Sequence, residues 1–277
     1  MPVQQMLDQA HRLPSIPKLV QELLQALDDP HADAGRIAAK LQLDQALTAK
    51  VLRLGNSSFY GGTRKVSSVN DAVVLLGVDA LRTMVAAGGV VAAFDAPEGF
   101  DLRAFWRRSF MVAGLCRWLV RRGRLRGLSA ETAFTAGLLH DVGRLLMHTI
   151  EPERMREADA AVAAGASRGD AEQMILGYTS VEIGGALAQH WHFPDVLCAA
   201  VVDQPAPMAA RVPNEYAGVV HVARACHLLL IGQQPLERLF GGAAAPVASW
   251  LELDAETLAP HWDEAAGLGQ DIDALLA

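Results

Sequence analysis

Apolar residues recur along most of the chain at the spacing of α-helices, and no segment alternates apolar and polar positions as a β-strand would. Ser15 and Pro17 are start signals for a first helix, whose apolar face consists of Ile16, Leu19, Val20, Leu23, Leu24 and Leu27. Two further helices are predicted after Asp33 and Asp44, because an aspartate at these positions can cap a first turn. The pattern therefore favours helix over sheet from the first residues onward.

Small and polar residues mark where these helices end. Gly55 and Asn56 are predicted to close the third helix, since both tolerate left-handed backbone. Ser68 and Asp71 have the spacing of a capping box for the next helix, and Gly77 follows its last apolar residue. The stretch Gly61–Lys65 is predicted to be a loop.

The second half continues in the same style. One helix is predicted over Ala104–Val120, and Ser129 caps another that is expected to contain His140 and Asp141. The predicted fold class is all-α, with helical lobes over residues 1–97 and 98–208. Residues 209–277 are predicted to form a helical C-terminal extension packed on the second lobe.

Composition narrows the choice of partners. The chain is 51% hydrophobic and 20% charged, with a net charge of −7, which gives no help to polyanion binding. Arginines cluster in Phe105–Ser109 and Arg117–Gly127, and we interpret them as a solvated helix face and its C-terminal end. The three separated cysteines, Cys116, Cys198 and Cys226, indicate reduced core thiols.

No signal-peptide pattern opens the chain, and the most apolar run, Met84–Phe94, is too short to span a bilayer. A buried helix is the expected structure of that run. A cytoplasmic protein without membrane insertion is therefore expected.

The adjacent pair His140-Asp141 is the one candidate for metal chemistry, because histidine and aspartate together can bind a divalent ion. A hydrolytic metal site needs three or more protein ligands, so the pair alone is incomplete. His148, eight residues further on the same predicted helix, would lie about 12 Å away, too far to share an ion. Lone histidines elsewhere in the chain are expected to be core or interface residues.

Seven segments together resemble the HDOD family, a bacterial relative of the HD phosphohydrolase superfamily. They are LPSIP at Leu13–Pro17, LDQALTAKVLRLGNSSFYGG at Leu43–Gly62, VSSVNDAVVLLGVDALRTMV at Val66–Val85, FWRRSFMVAGL at Phe105–Leu115, AFTAGLLHDVGRLLM at Ala133–Met147, GYTSVEIGGALAQHWHFP at Gly177–Pro194 and LCAAVVDQP at Leu197–Pro205. The resemblance covers about Leu13 to Pro205. It implies a two-lobed HDOD-type fold with a degenerate HD-like bundle, in which Asn56, Ser57 and Gly77 are signature positions.

The resemblance also implies that only His140-Asp141 survives of the metal ligands found in active HD enzymes. The other ligand positions are replaced by Arg108, Ser180, Val202-Asp203 (within one position) and Arg224. The GYP signature of cyclic-di-GMP phosphodiesterases is also absent. An arginine at a ligand position repels a divalent cation and can pair with Asp141 instead, so Arg108 or Arg224 is the expected partner of this aspartate.

The leading functional hypothesis is consequently a non-catalytic bacterial signalling module that binds protein partners. Stress, motility or cyclic-dinucleotide pathways are the settings that the resemblance implies, without a metal or cofactor. No receiver, GGDEF, EAL or kinase segment is recognised in the chain, which favours an adaptor or a direct sensor. The cleft between the lobes is the expected partner or ligand surface.

Two alternatives remain open. A metal-dependent phosphohydrolase with atypical ligands would need His140 and Asp141 to converge with Asp203 and a carboxylate such as Glu182. A nucleic-acid-binding regulator would use Asp33–Ser57 as a helix-turn-helix. A helical hairpin packed inside the first lobe is preferred there, because its second helix offers few basic side chains to phosphates.

Overall fold

The structure, a computed structural model, describes residues 14–28, 34–60 and 65–276. The helices are α1 Lys18–Asp28, α2 Ala34–Leu41, α3 Gln45–Gly55, α4 Val69–Leu76, α5 Val78–Ala92, α6 Leu102–Arg122, α7 Ala130–Leu139, α8 Val142–Ile150, α9 Pro152–Ala163, α10 Arg168–Leu176, α11 Ser180–His190, α12 Asp195–Asp203, α13 Glu215–Ile231, α14 Ala245–Trp250, α15 Ala255–Leu258, α16 Trp262–Gly267 and α17 Ile272–Leu275. Two 3-10 segments, Leu236–Gly241 and Ala259–His261, complete the elements. Within these ranges there is no β-strand, which confirms the all-α prediction.

The first lobe is built around α5, which packs against α1, α3 and α4. Ten of the eleven α5 residues from Ala80 to Val90 are buried, and the exception is the half-buried Arg82. The run Met84–Phe94 thus belongs largely to a buried helix, as its apolar composition predicted. None of the helices in the described ranges is both long and apolar enough to cross a membrane.

The second lobe is organised by α6, a helix of 21 residues that packs along α7 and α13. Beside them, α11 contacts both α8 and α12. The lobes meet where α5 lies on α7, and the ring of Phe94 contacts those of Trp106 and Trp191. Buried apolar residues of both lobes form one continuous cluster, so the described parts of the chain share one large core.

The C-terminal extension touches both lobes. Helix α13 packs on α6, α7 and α12, whereas α17 lies against α3 and α6. Asp271, just before α17, accepts a hydrogen bond from the Ser58 amide at 3.0 Å. The extension was predicted to pack on the second lobe, and the structure adds this contact with the first.

Two helix ends differ in detail from the sequence-based prediction. Asn56 caps α3 with φ −93°, so its backbone is not left-handed. Its side-chain amide instead donates to the carbonyls of Leu52 at 2.8 Å and Val66 at 2.7 Å. This side chain therefore fixes the end of α3 to the segment at Val66, because it satisfies backbone groups of both.

At α4, Ser68 accepts the Asp71 amide at 3.0 Å as predicted, but the Asp71 carboxylate turns to Ser67 rather than Ser68. Half of the expected capping box is therefore present. Gly77 separates α4 from α5 with φ 93°, a left-handed backbone that favours glycine. The predicted cap Asp33 and the loop residues 61–64 lie outside the described residues.

Candidate functional site

The His140-Asp141 pair lies at a break between two helices, which corrects the prediction of one continuous helix. Helix α7 ends at Leu139, and α8 begins at Val142. Asp141 occupies the capping position of α8, with φ −121° and ψ 9°, yet its side chain makes no capping hydrogen bond. The carboxylate is consequently available to side chains from other helices.

Arg108 of α6 binds the Asp141 carboxylate. Its Nη2 forms a short hydrogen bond with Asp141 Oδ2, and Arg144 Nη1 lies 3.5 Å from the same oxygen. Only 17% of the Asp141 side chain is exposed. Burial by itself would raise the pKa of Asp141, but the guanidinium charges of Arg108, Arg144 and Arg224 bring this pKa below its usual value. Asp141 is therefore an ionised counter-ion of two arginines.

His140 is buried and points its ring back at its own helix. Its Nδ1 lies 2.7 Å from the Gly137 carbonyl oxygen, a distance at which the Nδ1–H donates. Burial lowers the pKa of His140 to about 4, and the charges of Arg224 and Arg108 act in the same direction. At neutral pH the imidazole is consequently uncharged.

The other positions where the resemblance implies replaced ligands divide into those near the pair and those away from it. Arg224 of α13 donates to Gln204 Oε1 at 3.2 Å, and its charge acts on Asp141 from a distance. Ser180 opens α11, where its amide donates to the buried Glu172 at 2.7 Å. Val202 is 40% exposed, and no described hydrogen bond or ion pair joins Asp203 to His140 or Asp141.

Gln204 is a site residue that the sequence reasoning missed. It is 1% exposed, and its Nε2 donates to the His140 carbonyl oxygen at 2.5 Å. Its Oε1 accepts from Arg224, and its backbone carbonyl lies 2.9 Å from His221 Nδ1. The sequence signal was its place directly after Val202-Asp203, one position beyond the predicted ligand replacement.

A further group of charged side chains, centred on Asp159, lies next to the Asp141–Arg144 contact. Asp159 of α9 meets Arg168 at 2.5 Å, His148 at 3.2 Å and Arg144 at 3.7 Å. Burial opposes ionisation of Asp159, but His148 and Arg168 hold the pKa of this carboxyl far below its usual range. Asp159, His148 and Arg144 line a cleft of about 440 Å³ that reaches Arg108 and Phe100. Arginine–carboxylate pairs therefore dominate the surroundings of the pair.

These residues do not fit a divalent metal ion. Three or more converging donors are usual, whereas the described residues contain no cluster of three histidine, cysteine, aspartate or glutamate side chains suited to one. The one carboxylate beside His140 is held by two guanidinium groups. Glu182, which the phosphohydrolase alternative required, instead caps α11 through the Thr179 amide at 2.7 Å.

The helical hairpin of α2 and α3 is packed inside the first lobe, where Thr48 donates to the Leu41 carbonyl at 2.9 Å. Arg53, on the helix that would read DNA, reaches the Ala274 carbonyl at 3.5 Å because α17 lies across it. Of the signature residues, Ser57 closes α3 through the Leu54 carbonyl at 2.6 Å. These positions therefore have structural contacts in the first lobe.

A cleft of about 430 Å³ opens between the lobes, where a partner or ligand surface was expected. One wall is the face of α5 that carries Asp79 and Thr83, and the opposite wall is the start of α7 with Thr132. The segment after α11 closes one end with Trp191 and Phe193. The cleft thus combines apolar rings with several polar groups, as ligand pockets do.

The chain is similar to a known domain family and to several solved structures. The HDOD domain model matches residues 13–207. A "Putative phosphohydrolase" from Shewanella amazonensis SB2B is 35% identical, with a TM-score of 0.85 and 98% of both chains covered. An HDOD domain protein of unknown function from Geobacter sulfurreducens is 24% identical, with a TM-score of 0.78 over 95% of this chain and 93% of that one.

Longer proteins contain the same unit. A "Putative signal transduction protein" from Marinobacter aquaeolei VT8 is 25% identical with a TM-score of 0.72, and the match covers 98% of this chain and 60% of that chain. An uncharacterised protein of Treponema pallidum is 24% identical over 242 residues, which are 84% of this chain and 45% of the relative. The chain thus spans less than half the length of this curated relative.

Proposed function

Because the chain belongs to the HDOD domain family, we propose that it is a non-catalytic signalling module that acts by binding partner proteins. The observation that carries this proposal is the Arg108–Asp141 ion pair. A guanidinium group cannot lose its proton at physiological pH, so Arg108 attracts the carboxylate throughout that range. A divalent cation would have to displace two arginines to reach Asp141.

Similar proteins support a signalling role. The Marinobacter aquaeolei relative is named as a signal transduction protein, and the matched unit covers 60% of it. A domain that occurs within longer chains is suited to work as a regulatory part beside other domains. We place the partner surface at the cleft between the lobes, where groups from α5 and α7 face each other.

That placement can be tested with Thr132→Trp, which would fill the cleft. We expect the Thr132→Trp protein to fold. Cross-linking in living cells should then capture fewer partner proteins with this variant than with the wild-type chain. Arg103→Gln, an exposed change on α6 away from the cleft, should lose none of them. Identical cross-linked proteins for wild type and Thr132→Trp would contradict the placement.

A metal-dependent phosphohydrolase is the second candidate, and one observation favours it. The Nδ1–H of His140 is bonded to a backbone carbonyl, which leaves Nε2 with its lone pair, as in many metal-binding histidines. The Shewanella amazonensis relative, 35% identical, carries a phosphohydrolase name. This candidate requires Asp141 to release Arg108.

Hydrolysis of bis(p-nitrophenyl) phosphate with added Mn²⁺, Fe²⁺ or Mg²⁺ separates the two candidates. We expect no hydrolysis by the wild-type chain beyond that of Asp141→Asn, which keeps the shape of the side chain but loses its charge. Metal-dependent hydrolysis that Asp141→Asn abolishes would establish the second candidate and overturn the first.

A further inference from the structure

The arginine cluster at the end of α6 lines a groove that the proposed function does not use. Two adjoining clefts, of about 470 and 290 Å³, share Arg121 and Arg122. Arg117 lines the first cleft, and Arg124 lines the second. We call these two clefts the arginine groove. Its position on the far half of α6 separates it from the Arg108–Asp141 pair.

Carboxylates do not balance these arginines one for one. Glu131 is shared, because Arg117 lies 2.9 Å and Arg121 3.5 Å from the same Oε1. Glu264 pairs with Arg122 at 2.8 Å. Arg124 has no ion pair among the described residues. Glu256 also lines the second cleft, so three carboxylates face the four arginines. A protein with a net charge of −7 thus keeps an excess of positive charge in this concave surface.

The backbone at Arg124 matters for the choice of a test variant. Arg124 has φ 54°, a left-handed conformation that side chains other than glycine rarely adopt. The residue closes α6, and the Leu125 amide donates to the Val120 carbonyl at 3.2 Å across it. Glycine is the favoured residue at such a helix end. An arginine here costs some stability that glycine would not, as do the non-glycine residues His192, Gln233 and Glu252 at other positive-φ positions.

The first cleft also contains an unsatisfied donor. Trp118 is 6% exposed, and its indole Nε1 has no hydrogen-bond partner among the residues that the structure describes. Burial lowers the pKa of Arg121, and the neighbouring charge of Arg117 lowers it further. Stabilisation of the α6 C-terminus explains cations in the last turn, but it explains neither the unpaired Arg124 nor the groove.

We propose that the arginine groove binds a phosphate-bearing small molecule. Guanidinium groups match pairs of phosphate oxygens through two parallel hydrogen bonds, and they keep their charge at any physiological pH. A ligand with at least two negative charges would bridge Arg121 and Arg124 and relieve the repulsion among the arginines. The source of the phosphate is either an inorganic ion or a nucleotide, which the test distinguishes.

The test titrates the full chain with inorganic pyrophosphate and, separately, with ADP, and measures binding by calorimetry at low salt. Arg124→Gly removes the charge at a backbone position that glycine prefers, so this variant should be at least as stable as the wild type. We expect Arg124→Gly and Arg121→Gln each to weaken binding at least about tenfold, and added salt to weaken it further. Tighter binding of ADP than of pyrophosphate would identify a nucleotide as the source, and equal binding would identify the inorganic ion.

Two controls locate the site. Arg103→Gln, exposed at the other end of α6, should bind as the wild type does. Arg156→Gln, which lines the cleft beside Asp141, should do the same. Absence of binding to both ligands at millimolar concentration would overturn the proposal. Unchanged binding by Arg124→Gly and Arg121→Gln would overturn it equally.

Discussion

The two residues of the His-Asp pair differ in charge. Asp141 is ionised and serves as the counter-ion of Arg108 and Arg144, whereas the buried His140 is neutral. The same two side chains would both be metal ligands in an active phosphohydrolase. Here the Gly137 carbonyl binds the His140 ring and Gln204 binds its backbone carbonyl, while two arginines bind Asp141.

Replacing Asp141 by alanine should destabilise the fold, because it leaves Arg108 and Arg144 without their carboxylate. We expect a loss of about 1–3 kcal/mol in the free energy of unfolding, since Arg108 retains some contact with solvent. Urea denaturation measures it. Asp273→Ala, which removes an exposed partner of Arg103 and Arg107, should cost less than about 1 kcal/mol. Equal losses for both variants would contradict a structural role of Asp141.

His140 should make stability depend on pH. Its folded pKa of about 4 lies below the unfolded value of 6.5, so the unfolded chain binds the proton first as pH falls. The stabilisation is complete above pH 6.5 and is lost towards pH 4, about 3 kcal/mol in all. In His140→Gln the fall in unfolding free energy over this range should be smaller by about that amount. Parallel curves for the two proteins would rule out a buried neutral His140.

Among the elements, the contact between α8 and α11 brings two backbones together. A Cβ atom on Gly143 would lie 2.0 Å from the Ser180 carbonyl oxygen and 2.4 Å from the Gly184 amide nitrogen. No side chain fits this space. The start of α8, and with it Asp141, is therefore held against the start of α11.

Gly143→Ala should consequently separate the two helices. We expect a loss of at least about 3 kcal/mol, because the obstructing atoms belong to backbone that cannot turn aside. Gly169→Ala is the matched control, since a Cβ there meets nothing within 4 Å in helix α10. That control should gain about 0.5–1 kcal/mol from its greater helix propensity. A Gly143→Ala protein as stable as the control would contradict the described packing.

The succession of helices could be predicted from apolar spacing and capping residues, because these are local signals. The break at His140-Asp141 could not, since Ala133–Met147 reads as one apolar helix in sequence. Tertiary contacts interrupt the predicted helix, namely the close approach of α11 at Gly143 and the attraction of Asp141 by Arg108. Likewise, the amide of Asn56 reaches Val66 across ten residues, a contact that no local pattern contains.

At the scale of the whole molecule, a polar network joins the lobes through their shared core. Arg117, 4% exposed, binds Glu131 at 2.9 Å, and its guanidinium carbon lies 3.9 Å from the centre of the Tyr60 ring. Tyr60 in turn donates to Glu131 at 2.9 Å. Residues of the first lobe are thus bound to α6 and α7 by one buried cluster.

Arg117→Met should weaken the joint between the lobes, because it strands part of the charge of Glu131 in the interior. We expect a loss of about 3 kcal/mol in unfolding free energy, with a separate early transition when the first lobe detaches. Arg122→Met, an exposed change five residues along the same helix, should cost less than about 1 kcal/mol. A single transition with wild-type midpoint would show that the network does not hold the lobes together.

The composition of the site could be foreseen only in part. The resemblance pointed to Arg108 and Arg224 as replacements, and the structure brings Arg108 into contact with Asp141 and Arg224 into contact with Gln204. Arg144 and Gln204 were not foreseen, because a side chain one turn along α8 or at the end of α12 carries no distinctive spacing. Their roles depend on how four helices converge.

The central claim is that Asp141 binds arginine rather than metal. Elemental mass spectrometry of the untagged chain, purified after growth in metal-replete medium, measures this most directly. We predict far less than one manganese, iron or zinc atom per chain, and no rise in thermal stability when these ions are added. Close to one ion per chain, lost in Asp141→Asn, would contradict the claim and make the phosphohydrolase the better account.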